Sequence, residues 1–456
     1  MDPTPPPFRG SSSRKAFGPY LKSQTNTEGL CMTTRWILPA WMARAIVLIA
    51  FGALGLTACA QTPRLLDTDY LESLRAEVRT NHPSVAAARA RLLAAEVGVR
   101  AVRLWEDPLA GLGVMAAEHN KRRDDGDIIV LAEQALPRRK LYEARKARAT
   151  AERSLFEAET RSAALSLETL VAQAAVELAL VDEMLAIQTS QWVWLESMAA
   201  NAREKLKDPM ANASEPLRIE SEVAQERQKI DSAQRQRVRL VQQLNILLGR
   251  PAESPWPVLR LEESASLTPG LTGELSRLVA ANPLLQAMLN TANIAKSEIE
   301  VVKRERSPAF SVGVESSLYS GGDFRQAIVG ARMTLPWLNN SIYRANSERA
   351  RQKQLAAERD VEALDRKLRG EAVGAHTEAE TAAHQAGTIA TEVIPRAVKA
   401  AESTQNAWIS SKASLLDVLE SQRSLLNARL EERRFVAAHR AALETLRSIV
   451  PPPYSP

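Results

Sequence analysis

The chain has 456 residues, a formal charge of +5, only two cysteines, and 25% charged against 5% aromatic residues. From about residue 60 onward Ala, Leu, Glu, Arg and Gln dominate, which favours long helices over a sandwich or a parallel-sheet enzyme. The charge is no footprint of nucleic-acid binding. Residues 1–58 hold six basic side chains (Arg9, Arg14, Lys15, Lys22, Arg35, Arg44) and two acidic ones (Asp2, Glu28), leaving 53 basic against 52 acidic beyond them.

Residues 45–56, AIVLIAFGALGL, form a 12-residue apolar run preceded by Arg35 and Arg44. A spanning helix needs about 20 such residues, so this run has the make-up of a secretory signal peptide. It ends Leu56-Thr57-Ala58-Cys59, which resembles the bacterial lipoprotein signal. That resemblance implies loss of residues 1–58 and a lipid on Cys59 as the new N-terminus. Ala60, in place of an Asp, implies the outer membrane by the same analogy. Residues 1–31 read as leader from an upstream start, with Met32 or Met42 able to begin the signal peptide. Cys31 falls in the removed segment and Cys59 would carry lipid, so no disulfide or Cys-based metal site is expected.

The remainder repeats at about 200 residues. Asn81-His82-Pro83 answers Asn282-Pro283; Pro83 to Pro108 and Pro283 to Pro308 are both 25 residues; Leu136-Pro137 answers Leu335-Pro336. Residues 213–221, ASEPLRIES, and 413–421, ASLLDVLES, agree at five of nine positions if Ile219 and Leu419 count as equivalent. Four landmarks in register indicate tandem duplication of one unit. The expected domains are 59–250, a connector at 251–272, 273–450, and a tail at 451–456.

In the first unit a helix is expected over 68–104, strands at about 108–117 and 127–136 joined by a polar loop from His119 to Gly126, and a helix over 139–205 without Pro or Gly. At 1.5 Å per residue that last helix would extend roughly 100 Å, more than a globular core requires. Its Leu167, Leu170, Ala174, Leu178, Val181 and Leu185 recur at threes and fours, as a packed seam does. The second unit predicts a helix over 273–305, strands at 308–319 and 325–335 around Ser320-Gly321-Gly322-Asp323, and a helix over 341–407 bent at Pro395. Partner helices are expected over 214–248 and 413–449, with Leu415, Leu419, Leu426 and Leu430 on one stripe.

The second-unit strands alternate. Phe310, Val312, Val314 and Leu318 oppose Ser311, Gly313, Glu315 and Ser317; Val329 and Met333 oppose Ile328, Gly330 and Arg332. Roughly ten residues is the length of a tilted transmembrane strand. The alternation predicts Phe310, Val312, Val314, Val329 and Met333 toward lipid and Ser311, Glu315 and Arg332 toward a lumen. An open edge cannot face lipid, so four strands per chain would require several chains to close a barrel.

The histidines, His82, His119, His376, His384 and His439, form no ligand pair and read as solvated or packed. Neither a nucleophile–base signature nor a phosphate loop occurs. No enzyme, cofactor or metal site is expected.

At this point the residues resemble the TolC family of outer-membrane efflux channels over nearly all of 65–450. The carriers are the Asn-Pro openings, Leu244-Asn245-Ile246-Leu247-Leu248-Gly249-Arg250-Pro251, and Asp417-Val418-Leu419-Glu420-Ser421-Gln422. The resemblance implies a mostly α homotrimer: a twelve-stranded barrel in the outer membrane on an α-helical tunnel in the periplasm. It further implies docking to a periplasmic adaptor (membrane fusion) protein and a resistance-nodulation-division type pump. Acidic rings narrow the tunnel in this family, which singles out Asp417 and Glu420; acids in a first helical turn also simply suit the helix dipole. The tips Asp208-Pro209-Met210-Ala211-Asn212 and Ile409-Ser410-Ser411-Lys412 lack the glycines frequent there. Leu136-Pro137-Arg138-Arg139-Lys140 and Leu335-Pro336-Trp337 resemble the heavy-metal branch, slightly favouring metal cations over organic drugs. Two other readings stay open: a lipid-anchored periplasmic coiled-coil adaptor or scaffold, and the exit duct of a type I protein secretion system.

Overall fold

A computed structural model describes residues 63–116, 126–205, 214–262, 280–319, 322–410 and 412–451. In chain order the first unit contains β1 (Arg64–Leu66), α1 (Thr68–Asn81), α2 (Pro83–Ala101), β2 (Leu109–Ala116), β3 (Gly126–Ala135), α3 (Arg139–Lys205) and α4 (Ser214–Leu247). The second contains β4 (Leu259–Leu261), α5 (Pro283–Glu305), β5 (Phe310–Tyr319), β6 (Phe324–Met333), a 3-10 turn (Pro336–Asn339), α6 (Asn340–Thr388), a π-helical turn (Ile389–Val393), α7 (Ile394–Ile409) and α8 (Leu415–Ile449). Cys59, His119, the tip at 208–212 and residues 263–279 lie outside the described residues.

Three local departures from the sequence pattern trace to proline. The segment 68–104 forms two helices rather than one, because Pro83 disfavours helical backbone at the residue before it. His82 is extended (φ −75°, ψ 128°) and its ring Nδ1 accepts from Ser84 N at 3.2 Å, capping α2. Asn282 does the corresponding work at α5: Ala280 is helical, the helix predicted over 273–305 is interrupted at 281–282, and α5 begins at Pro283. Its Oδ1 accepts from Leu284 N at 2.9 Å, and its Nδ2 donates to Ser448 O and Ile449 O at 3.2 and 2.9 Å. At Pro395 the missing N–H is accommodated by the π-helical turn just upstream, which divides the predicted 341–407 helix into α6 and α7.

β2 and β5 start one and two residues later than the alternation suggests, since Pro108 and Pro308 have no N–H to give a ladder, while β3 and β6 each start one residue earlier than expected. They form one antiparallel sheet in the order β2-β3-β5-β6, so both units contribute a hairpin and the hairpins pair with each other. α3 runs 67 residues away from it, about 100 Å at the helical rise.

The largest apolar core lies along α3, where Val171, Ala172, Ala175, Val176, Leu178, Ala179 and Val181 pack with α1, α4 and the short strands. Leu170 is not part of this seam; it stands one residue off the stripe and is 50% exposed. A second cluster closes the far end, joining Leu195, Met198 and Ile219 to Trp408, Leu415, Val418 and Leu419. Leu415, Leu419, Leu426 and Leu430 are all buried on one stripe of α8.

Polar contacts tie the helices together around the small parallel pair β1–β4. Asp182 Oδ2 and Glu183 Oε1 on α3 accept from Leu259 N and Leu261 N, each at 2.8 Å, extending the β4 hydrogen bonding onto a helix. Burial pushes the Glu183 carboxyl above its ordinary range. Arg75, only 2% exposed, pairs with Glu72 and with Glu444 of α8, so no buried charge is left uncompensated there. Burial opposes the charged form of Glu72, but hydrogen bonds from Arg75 and Arg79 and the charge of Arg447 outweigh it and hold its carboxyl low. The run 244–251 works as a clasp. Asn245 is fully buried and bonds Ala252 O, Ser254 O and Trp256 Nε1, Gly249 takes the left-handed conformation (φ 73°) that ends α4, and Arg250 grips Glu77 of α1.

Candidate functional site

The sheet has two chemically different faces, set by strand register. Paired residues share a face, so Leu112, Val114, Ile128, Val130, Ala132, Val312, Val314, Val329, Ala331, Phe310 and Met333 lie together. Leu112, Val114 and Val329 are 84%, 81% and 75% exposed. An exposed apolar patch of this extent on a sheet whose β2 and β6 edges are unpaired would be an aggregation site in water. No helix among the described residues is long and apolar enough to cross a membrane.

The other face carries Ser311, Gly313, Glu315 and Ser317 on β5, Gln326, Ile328, Gly330 and Arg332 on β6, and Ile129, Leu131 and Glu133 on β3. Ser311, Glu315 and Arg332 therefore share one face, opposite Phe310, Val312, Val314, Val329 and Met333. Glu133 was not singled out by the sequence. It accepts from Ser311 Oγ and is ion-paired with Arg332, linking three strands. The available signal was an acid near the end of the strand GDIIVLAEQA, whose other acid is Asp127 at its start, but only β3–β5 pairing brings its partners to it.

About 100 Å away lie the ends of the helical hairpins. Asp417 and Glu420 are both exposed on the first turns of α8. Asp417 closes a capping box: its carboxylate accepts from Ser414 N at 3.0 Å and Ser414 Oγ at 2.8 Å, while Ser414 Oγ accepts from Asp417 N at 3.3 Å. Asp417 thus has a helix-starting role within the chain. Glu420 makes no ion pair among the described residues, whereas Glu220, its counterpart in the first unit, is held by Arg203 at 2.7 Å.

Among the described residues no group of three or more His, Cys, Asp or Glu is placed to hold a metal ion. His439 is buried on α8 with Nδ1 2.9 Å from Ala379 O, so it ties α6 to α8.

No protein-family model matches the sequence, and no curated protein is significantly similar to it. Solved structures are similar. The outer membrane protein VceC of Vibrio cholerae superposes with a TM-score of 0.71 at 16% identity, over 84% of this chain and 96% of that one. CusC, described for transmembrane channel formation, gives 0.73 at 16% identity over 86% and 95%. The CmeC outer membrane channel of Campylobacter jejuni gives 0.70 at 14% identity over 83% and 85%. The chain has the fold of these outer-membrane channels.

Proposed function

We propose that this chain is a TolC-family protein and forms the exit duct of a tripartite efflux pump in the outer membrane. The observation that carries the reading is the sheet: one face apolar and exposed, both edges unpaired, set on helices about 100 Å long. Three copies of the four-stranded sheet would close as twelve strands, pairing β6 of each copy with β2 of the next and leaving no edge toward lipid. The helices would continue the duct as a periplasmic tunnel, met by an adaptor protein and a resistance-nodulation-division type pump. The chain itself would do no chemistry; substrates would pass through it.

Detergent-extracted protein is expected to sediment as a trimer. A folded, detergent-free monomer in analytical ultracentrifugation would refute barrel and trimer together. Cys59 would carry lipid, so Cys59→Ser should not incorporate labelled palmitate; normal labelling of that variant removes the anchor from the reading. For substrate, heavy-metal cations rank slightly ahead of organic drugs, on the segments 136–140 and 335–337. A deletion strain sensitised to drugs and indifferent to metals would reverse that order.

A further inference from the structure

The face assigned to the lumen contains one charged arrangement that the exit-duct reading does not require. Glu133 lies on β3, opposite Gly313 of β5, and Gly313 in turn lies opposite Gly330 of β6. Neither glycine puts a side chain beside the Glu133 carboxylate. A Cβ at Gly313 would come 3.6 Å from Glu133 Cβ and 3.3 Å from Ala132 O. Across this gap Glu133 reaches diagonally to Ser311, the register partner of Arg332, and to the Arg332 guanidinium itself. Adjacent strands are about 4.8 Å apart, so the pair spans about twice that across β5. The Glu133 side chain is 16% exposed and that of Arg332 58%. The acid is therefore largely covered by its partners while the cation lies over it.

In the half of this face nearest the helices the described ionisable side chains are Glu133, Glu315 and Arg332. Glu315 lies opposite Leu131 and Ile328, and it makes no ion pair among the described residues. The local charges then sort into a neutral pair and one uncompensated carboxylate. We propose that Glu133 is the positioning residue for the charge of the lumen. It holds Arg332 against the wall as a neutral pair, so that Glu315, three times in a trimer, gives the barrel a preference for cations. Rings of carboxylates attract cations in this way, and a freed guanidinium projecting into the same section would oppose them.

This inference rests on the exit-duct reading. Its test is the reversal potential of reconstituted full-length channels in a KCl gradient, in an Asp417→Asn/Glu420→Gln background that removes the tip acids. Glu133→Gln is expected to lower the potassium-over-chloride permeability ratio by about threefold or more, by releasing Arg332 and deleting a negative charge. Glu133→Gln with Arg332→Gln should return the ratio to that of the background, and Glu315→Gln alone should lower it. Gly313→Val, which fills the gap, should act in the same direction as Glu133→Gln. If Glu133→Gln yields no trimer, Glu133→Asp, one methylene too short to keep both partners, carries the same test. A ratio unmoved by the single variant, or not restored by the double one, overturns the inference while leaving a working duct. A parent protein that forms no channel at all overturns the exit-duct reading, and this inference with it.

Discussion

The two units share one order of elements and differ in how each is locked. His82 and Asn282 occupy the same place, ahead of a proline at a helix start. His82 is half-buried and caps its helix with one exposed hydrogen bond, whereas Asn282 is 3% exposed and also holds the carbonyls that end α8. The long helices differ too. α3 runs 67 residues without interruption, while its counterpart is broken by a π-helical turn above Pro395. The second unit thus has both the tighter joint and the interruption. The difference teaches that equivalent positions need not carry equivalent energies.

The comparison can be tested first where the units should behave alike. Val114 on β2 and Val329 on β6 belong to different units but to the same outward face. Val114→Arg and Val329→Arg should each cost about 2–4 kcal/mol if the strands sit near the bilayer midplane. Ser311→Arg, beside the Glu133 carboxylate, should be mild. Equal tolerance on both faces, read from the thermal stability of the trimer, would put the register off by one residue.

The joints should behave differently. Asn282→Ala removes a cap and strands two carbonyls, one of them buried with its partner, for a loss of about 2–3 kcal/mol. His82→Ala removes one exposed cap and should cost about 0.5 kcal/mol. Equal thermal shifts in the two variants would mean that the tie to α8 contributes nothing.

The smallest expected effect on stability lies at the tips, where the readout is conductance. Asp417→Asn with Glu420→Gln should weaken cation preference and block by divalent cations from the periplasmic side, without altering the trimer. Glu220→Gln together with Arg203→Gln should leave both nearly unchanged, because Arg203 and Glu220 already form a neutral pair. If the double variant conducts and blocks as the parent does, Asp417 is only the capping residue seen in its contacts with Ser414, and the tunnel narrows elsewhere.

Much of this molecule was readable in one dimension because its signals are local. Period-two alternation in 310–333 marked two faces, and the absence of Pro and Gly from 139–205 marked one unbroken helix. The 200-residue repeat announced two hairpins and two long helices before any contact was known. Even the breaks had local causes, since Pro83 and Pro395 act on the turn before them. Leu170 shows where periodicity stopped being enough: it fits a spacing of threes and fours, yet the neighbouring helices meet α3 one residue to the side.

What only the tertiary structure decided are the pairings across large sequence separations. Glu133 meets Ser311 and Arg332 at separations of 178 and 199 residues. Nothing within β3 says which strand lies beside it or in what register, because a ladder can form with any extended neighbour. The hairpin-to-hairpin contact of β3 with β5, and the two glycines beside the carboxylate, settle both. Arg75 and Glu444, 369 residues apart, are likewise joined only once α1 packs on α8. The sequence by itself determined the lengths, faces and breaks of the elements, since these depend on each residue and its near neighbours. The structure decided which charges neutralise one another, since that depends on distance through space.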